Sequence, residues 1–339
     1  MKNSVTIQDI ANALHLSRNT VSKALNGKHV PIKTRNAVIN TAIEMGYKGY
    51  KIVATVDVTQ GHKRIILLSS RLLMNIKYYI YVLSGIEESF STYDIDLIQF
   101  NLTNLDSFSK FKNYLSNNKV DGIICIEFFE PNYIAELLTL DYPLIFLDFP
   151  IINLSLKGKY DIILPESQNV VKNFCIDMIK EKQCYSFGFV GDYMHCRSFY
   201  ERFTGMREAL FLSGLPVDLQ YSILNDDSMP YGVPKELAKE IKKLPALPDC
   251  FVAANDTIAI SLLDALKSLK IRVPKDIKVI GFDNIAATKS TNPPLSTFNI
   301  DKTFLGKRLT TMMLERIANP MQTNQIIYIS SKLILRSST

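Results

Sequence analysis

Short apolar segments alternate with amphipathic ones from Lys63 to the end of the chain, in two successive sets. The first set begins with the apolar runs RIILLSS and DIDLIQF, which flank the helical pattern NIKYYIYVLSGIEESF. The second set includes the apolar runs YSFGFVGD, DCFVAAND and IKVIGFDN. Strands that alternate with helices are typical of a parallel sheet covered by helices on both faces. Residues 63–339 are therefore predicted to form an α/β body of two similar lobes.

Two such lobes leave a cleft between them, and ligands of open parallel sheets bind outside the carboxyl ends of the strands. The candidate ligand-binding residues are therefore the polar residues that follow the predicted strands.

Four polar residues occupy such positions. Asp148, Asn255 and Asp283 each end an apolar run, and Arg202 begins the helical pattern of ERFTGMREAL. A carboxylate accepts hydrogen bonds from hydroxyl groups and a guanidinium donates them in a planar fork, which is how a sugar or a similar polyol is held. Asp256 is expected to cap the following helix instead, while Asn255 is equally compatible with a cap and with a ligand contact.

Two aromatic residues lie next to these positions in the sequence. Tyr79 falls early in the first helical pattern of the body, and Phe149 directly follows Asp148. Their rings are candidates for stacking on the apolar face of a sugar, although helical tyrosines more often belong to a core. The predicted effector-binding set is therefore Tyr79, Asp148, Phe149, Arg202, Asn255 and Asp283.

Basic residues are concentrated at the N-terminus. The chain has 39 Lys and Arg residues against 33 Asp and Glu residues. Residues 1–51 contain eight basic and two acidic residues, which leaves 31 of each sign in residues 52–339. The whole net charge of +6 thus belongs to a short segment ahead of a neutral body. Such asymmetry indicates contact with nucleic acid or with a membrane surface.

The basic segment has the pattern of three short helices. Thr6 and Asp9 have the spacing of a capping box ahead of an apolar stripe, and Ser17 is placed to cap a second helix that Asn26-Gly27 ends. A third helix is predicted from about Ile32 to Gly46. Two helices joined by so short a turn are typical of a helix-turn-helix, whose second helix enters the major groove of DNA.

The second helix carries side chains suited to reading DNA. Arg18 matches the two acceptors of guanine and Asn19 matches the donor and acceptor of adenine. Thr20 and Ser22 are better suited to phosphate oxygens, and Lys23 is suited to either bases or phosphates. A three-helix unit that only contacts protein is the alternative, and the concentration of positive charge argues against it.

Residues 5–50 resemble the DNA-binding headpiece of the LacI/GalR family of bacterial repressors. The shared motifs are T-hydrophobic-x-D-hydrophobic-A, S-x-x-T-V-S-x-x-L-N, T-R and a closing G-Y. The resemblance continues through the remaining chain. It implies a helix-turn-helix headpiece in residues 1–50, a hinge in residues 51–62, and a two-lobed body like that of periplasmic binding proteins in residues 63–339. In this architecture the chain crosses between the lobes more than once, so the first lobe is expected to contain residues of about 63–158 and 292–320, and the second residues of about 159–291 and 321–339.

The resemblance also implies a function. Family members are transcriptional repressors, and a small-molecule effector between their lobes controls their binding to a pseudo-palindromic operator in double-stranded DNA. A two-fold symmetric operator requires a homodimer, and the effector expected here is a carbohydrate. The implied DNA contacts are Thr6, Ser17, Arg18, Asn19, Thr20, Ser22, Lys23, Asn26, Thr34, Arg35, Tyr47 and Val56.

The hinge is where the chain departs from the family pattern. Family hinges typically begin Pro-Asn and insert an apolar wedge, usually Leu, into the minor groove. Here Gly49-Tyr50 replaces Pro-Asn, Val56 occupies the wedge position, and β-branched residues dominate. A weak hinge helix and an extended linker remain equally compatible with this segment.

Two other classes of protein fit parts of the pattern. Paired carboxylates in a cleft also describe a glycoside-processing enzyme, but the sequence contains no G-x-S-x-G, H-E-x-x-H, P-loop or G-x-G-x-x-G motif. No catalytic residue, metal or cofactor is therefore predicted. A stand-alone sugar-binding protein would require export, and the absence of a signal-peptide pattern and of long apolar runs predicts a cytoplasmic protein without membrane contact.

Overall fold

The computed structural model describes residues 5–25, 30–31, 34, 37–38, 41–42, 45, 47, 62–70, 77–90, 93–102, 105–151 and 158–339. The chain divides into two compact units, residues 1–61 and residues 62–339. Each unit has a core of its own and is described separately.

The first unit contains the predicted helix-turn-helix. Helix α1 (Ile7–Ala13) begins with a capping box in which Thr6 accepts from the Asp9 backbone and Asp9 accepts from the Thr6 backbone. Hydrogen bonds from the Thr6 hydroxyl and from the Thr6 backbone lower the pKa of the Asp9 carboxyl. His15 turns the chain through a left-handed conformation, with φ of 54°. Helix α2 (Arg18–Leu25) then begins where the Ser17 hydroxyl accepts from the Thr20 backbone at 3.0 Å.

A small apolar core joins these helices to the residues that follow. Ile10 of α1 and Val21 of α2 are fully buried, together with Val38 and Ala42, which are helical. Tyr47 packs against the same core. The predicted DNA contacts Asn26, Arg35 and Val56, and residues 51–61 of the predicted hinge, lie outside the described residues.

The second unit follows the predicted alternation of strands and helices. In chain order its elements are β1 (Lys63–Ser69), α3 (Lys77–Phe90), β2 (Ile95–Asn101), α4 (Leu105–Asn117), β3 (Gly122–Ile126), α5 (Pro131–Thr139), β4 (Leu144–Leu147), β5 (Tyr160–Pro165), α6 (Gln168–Lys182), β6 (Phe187–Val190), α7 (Arg197–Leu212), α8 (Pro234–Ile241), β7 (Cys250–Ala253), α9 (Asp256–Ser268), β8 (Lys278–Ile280), β9 (Thr297–Asn299), α10 (Lys302–Ala318), β10 (Ile326–Ile329) and β11 (Lys332–Ile334).

Two parallel sheets form the centres of the two lobes. The first lobe has a six-stranded sheet in the order β10-β5-β4-β3-β1-β2, and the second has a three-stranded sheet in the order β6-β7-β8. A short antiparallel pair, β9 with β11, adjoins the second lobe through Ser296 and Val279. The inner strands of both parallel sheets are buried on both faces over most of their length, which explains their nearly continuous apolar sequences. The edge strands β2 and β10 of the first lobe are partly exposed.

The lobe boundaries differ from those expected from the sequence. Strands β5 and β10 pair with each other in the first-lobe sheet, whereas residues 159–165 and 321–329 were expected in the second lobe. Strand β9, in the segment expected in the first lobe, adjoins the second. The Arg316 guanidinium holds the first of these arrangements in place, because it is fully buried, binds both carboxylate oxygens of Asp161 and donates to the Gln322 carbonyl.

Helices α3 and α10 pack closely on the first lobe. A Cβ atom added at Gly306 would lie 2.1 Å from the carbonyl oxygen of Val82, and one added at Gly85 would lie 2.1 Å from the carbonyl oxygen of Thr303. Neither position has room for a larger side chain. The two glycines therefore allow the backbones of the helices to touch.

Side chains also connect the lobes. Tyr328 of β10 in the first lobe donates to the Glu201 carboxylate of α7 at 2.7 Å and accepts from Arg197 of the same helix at 2.8 Å. Burial and the Glu201 bond raise the pKa of Tyr328 to about 12. The phenol therefore stays protonated and ties α7 to the edge of the first-lobe sheet.

Candidate functional site

A cavity of about 610 Å³ lies between the lobes, at the carboxyl ends of the strands in both sheets. Its walls come from α3 and the segments after β3 and β4 in the first lobe, and from the start of α7 and the segments after β7 and β8 in the second. The predicted residues Tyr79, Asp148, Arg202, Asn255 and Asp283 all line it. Five of the six predicted effector residues thus line one cavity, and three of them, Asp148, Asn255 and Asp283, come from strand ends.

Three carboxylates at this cavity stand on left-handed backbone. Glu127 follows β3 with φ of 52°, Asp148 follows β4 with φ of 64°, and Asp283 lies beyond β8 with φ of 115°. A non-glycine residue in such a conformation costs on the order of 1–3 kcal/mol, and such residues cluster at ligand sites. Glu127 was not predicted, although the sequence run GIICIE places it at a strand end like the other two.

Asp148 connects the first lobe to a helix of the second. Its carboxylate accepts from the Ser198 backbone at 3.2 Å and from the Ser198 hydroxyl. Cys196, at the cap position of α7, forms no side-chain capping bond. Asp148 thus satisfies the N-terminal turn of α7 from the opposite lobe, and the Phe149 carbonyl adds a bond from the Arg197 backbone at 2.7 Å.

Arg202 extends from α7 into the cavity wall and is almost fully buried. Its guanidinium carbon lies 3.6 Å from the centre of the Phe282 ring, and it donates to the Ala254 carbonyl at 2.5 Å. Stacking on a ring and a fixed hydrogen bond hold the guanidinium plane in one orientation. Arg202 is therefore a rigid donor group at this site.

The acidic residues of the second lobe have unusual protonation equilibria. Burial, reinforced by the charges of Glu127 and Asp148, raises the pKa of Asp283 to about 6, although Arg202 and Lys302 oppose the shift. Burial and the neighbouring Asp283 raise the pKa of Asp256 to about 8. Burial also lowers the pKa of Lys302.

Asn255 and Asp256 have roles different from those expected. Asn255 is the cap of α9, since its side-chain oxygen accepts from the Ile258 backbone at 2.9 Å, and it also lines the cavity. The expectation that Asp256 caps this helix is wrong. Asp256 is its first residue, fully buried, and accepts from the Ile285 backbone and the Thr297 hydroxyl.

The two aromatic candidates lie in different places: one lines the cavity and the other belongs to the first-lobe core. Tyr79 donates its hydroxyl to Glu127 at 2.5 Å and lines the cavity. Phe149 is fully buried in the first-lobe core, where it packs edge-on against Phe146 and parallel to Tyr160. The left-handed turn at Asp148 directs successive side chains to different sides, so Phe149 points away from the cavity and the prediction for it is wrong.

Sequence reasoning also missed a group at the cavity edge. The His195 imidazole lies 2.6 Å from the Asp227 carboxylate and packs edge-on against Phe129 of the first lobe. Phe199 lies on its other side. His195 and Asp227 are 32 positions apart, so no local pattern in the sequence signals their pairing.

The predicted base-reading residues lie on the surface of the first unit. Arg18, Asn19 and Lys23 of α2 are exposed, and Thr20 and Ser22 are partly exposed. The opposite side of the helix buries Val21, Ala24 and Leu25. The helix therefore presents a polar and basic face next to a packed apolar one, as a recognition helix requires.

Comparison with known proteins covers both units. A family model described as a periplasmic binding protein-like domain matches residues 176–339. The HTH-type transcriptional regulator GalR of Streptococcus thermophilus is 27% identical over 343 residues, which cover 98% of this chain and 99% of that protein. The similarity thus extends through the helix-turn-helix and both lobes. The chain is thus similar along nearly its whole length to transcriptional regulators of the LacI/GalR type.

Two solved structures have a fold similar to that of this chain over nearly its whole length. The CelR-cellobiose complex has a TM-score of 0.70 at 19% identity and covers 99% of this chain and 100% of its own. The lac repressor dimer bound to operator and the anti-inducer ONPF has a TM-score of 0.66 at 20% identity, with 99% of each chain covered.

The relatives that match the chain end to end are transcriptional regulators, and the chain is accordingly a transcriptional regulator and not an enzyme. The comparisons do not support the alternative of a glycoside-processing enzyme. Within the described ranges, no helix is long and apolar enough to cross a membrane. The same ranges contain no group of three or more His, Cys, Asp or Glu side chains that could hold a metal ion.

Proposed function

We propose that this regulator is a repressor which binds a pseudo-palindromic operator in double-stranded DNA as a homodimer, and that a carbohydrate in the cavity between its lobes controls this binding. The observation that carries the proposal is the convergence of Asp148, Arg202 and Asp283 on one cavity between lobes that ligand contacts can bridge. The cellobiose complex of CelR supports a carbohydrate as the effector class.

The proposed effector contacts follow from the geometry. Arg202 and Asp283 hold hydroxyl groups from the second lobe, with Asn255 beside them, and Asp148 holds one from the first lobe. Tyr79 supplies an aromatic wall. A ligand bound to both lobes stabilises their closed arrangement by its differential affinity for that state.

The proposed DNA contacts come from α2. Arg18 and Asn19 read bases, Lys23 contacts a base or a phosphate, and Thr6, Ser17, Thr20, Ser22, Thr34 and Tyr47 contribute backbone contacts or position the helix. The printed description of the lac repressor as a dimer bound to operator supports this mode of binding. A cytoplasmic location follows from the proposed operator binding.

The proposed dimer uses an apolar face of the first lobe. Ile80 and Tyr81 of α3 are 41% and 50% exposed, and Phe304 of the adjacent α10 is 47% exposed. These side chains lie on two helices that pack against each other. A second copy that covers them would bury apolar area otherwise in water.

The effector role is tested with the variant Arg202→Ala and the control Arg207→Ala, which removes an exposed guanidinium from the same helix. Duplexes selected by the protein from a random pool serve as operator, and galactose, glucose, lactose and cellobiose serve as effectors. Arg202→Ala should bind operator like wild type without sugar and should lose the effect of sugar on that binding. Arg207→Ala should keep both properties. A full sugar response in Arg202→Ala would remove Arg202 from the site.

A further inference from the structure

Acidic side chains dominate the charge of the described cavity wall. Glu127 and Asp148 contribute from the first lobe, and Asp283 and Asp227 contribute from the second. Asp227 is half exposed at the edge and faces His195, so solvent screens its charge more than that of the other three. Glu127, Asp148 and Asp283 therefore contribute most of the negative charge inside the cavity.

The Arg202 guanidinium in the cavity wall already has protein partners. Arg202 donates to the Ala254 carbonyl, approaches the Ser167 hydroxyl and stacks on Phe282. Its charge also acts on Asp283, whose pKa would otherwise rise further. A phosphate group entering this space would meet three carboxylates and one guanidinium that already has protein partners.

Glu127 is the least expected member of this set. Aspartate tolerates left-handed backbone better than glutamate does, yet Glu127 has φ of 52° directly after β3. The same turn lets the Glu127 carbonyl accept from the Ser70 backbone at 3.2 Å, while its carboxylate receives the Tyr79 hydroxyl. Its charge is thus fixed beside Tyr79 in the cavity wall, close enough to Asp283 to raise the pKa of that carboxyl.

We propose that Glu127 is a specificity-determining residue which, together with Asp148 and Asp283, restricts the effector to uncharged or cationic carbohydrates and excludes phosphorylated ones. Like charges brought together in a partly desolvated site oppose binding, whereas the hydroxyl groups of a neutral sugar satisfy carboxylate acceptors. This inference rests on the carbohydrate effector proposed above and names its charge class.

The test compares matched ligands on the full-length protein. Glucose, galactose and lactose are each paired with their 6-phosphate, and dissociation constants are measured by isothermal titration and checked by thermal shift. At least one neutral sugar should bind, and its phosphate should bind at least tenfold more weakly. Glu127→Gln keeps an acceptor for the Tyr79 hydroxyl. It should reduce the ratio of the two dissociation constants, sugar phosphate over parent sugar, at least threefold.

Glu181→Gln is the matched control, since it removes the same charge from an exposed position on α6 that does not line the cavity. It should leave the ratio unchanged. If Glu127→Gln fails to fold, Asp227→Asn at the cavity edge should narrow the ratio in the same direction by a smaller factor. A phosphate that binds as tightly as its parent sugar would overturn this inference and leave the carbohydrate effector intact. If neither the sugar nor its 6-phosphate binds in any of the pairs, the proposal of a carbohydrate effector is itself wrong.

Discussion

At the scale of single residues, Arg18 tests whether the exposed face of α2 reads sequence. A guanidinium that donates two bonds to guanine discriminates against other bases by about 1–3 kcal/mol, whereas a phosphate contact weakens all sequences alike. Arg18→Ala should therefore lose preference at one base pair in each half-site, and Lys2→Ala should serve as a charge-matched control that keeps it. Competition against a degenerate duplex library measures this, and unchanged preference in Arg18→Ala would make Arg18 a backbone contact.

Asp283 gives the site a dependence on pH. With a pKa of about 6, its carboxyl is mostly ionised at pH 7 and accepts hydrogen bonds, and it takes up a proton as pH falls below 6. A neutral sugar that donates to the carboxylate should therefore bind about tenfold more weakly for each pH unit well below 6. Calorimetric titration between pH 5 and pH 7.5 provides the measurement. In Asp283→Asn the affinity should be lower and nearly independent of pH, and an unaltered pH profile would contradict the role of Asp283.

The neighbours of Asp148 show what single-sequence reasoning can locate. The rule that ligands lie at strand ends identified Asp148 and Asp283, because it depends only on the position of a polar residue after an apolar run. It did not reveal that Phe149 enters the core, because the backbone turn at Asp148 decides where the next side chain points. Glu127 obeyed the same rule and was overlooked. The pairing of His195 with Asp227 depends on tertiary structure alone.

At the scale of secondary structure elements, the contact between α3 and α10 makes Gly306 critical. An added methyl group would meet backbone atoms of α3, which cannot rotate away as a side chain can. Gly306→Ala should therefore lower the free energy of unfolding by about 1–3 kcal/mol. Gly232→Ala, where the added methyl meets open space, should change it by less than about 0.5 kcal/mol. Urea denaturation of both variants checks this, and equal stabilities would show that the helices can move apart freely.

At the scale of the whole molecule, the division of charge predicts where DNA affinity resides. If the first unit supplies the phosphate contacts, operator affinity should fall roughly a thousandfold or more between 50 and 200 mM salt for six or more contacts. Residues 62–339, which contain 31 basic and 30 acidic residues, should show no affinity for the operator. Gel shifts of the full chain and of this fragment over a salt series make the comparison. A fragment that still shifts operator DNA would contradict the assignment.

The order of elements was predictable along nearly the whole body, but the membership of strands in sheets was not. The apolar run YDIIL predicts a buried strand in either lobe, because its residues are equally suited to both. Its partner was decided by distant residues: Ile162 donates to the Gln325 carbonyl, and Asp161 pairs with Arg316. Such long-range contacts fix the point at which a chain crosses between lobes, and periodicity in one sequence carries no information on them.

The bond from Asp148 to the first turn of α7 has a consequence for how an effector acts. In the proposed complex, a sugar hydroxyl that approaches this carboxylate competes with Ser198 for the same oxygens. The sugar hydroxyl then replaces Ser198 as the hydrogen-bond donor to Asp148, since this carboxylate already has a protein donor. The effect of a ligand on DNA binding would accordingly depend on how well its hydroxyl group replaces that of Ser198 at Asp148. Tight binding alone would not make a compound an effector.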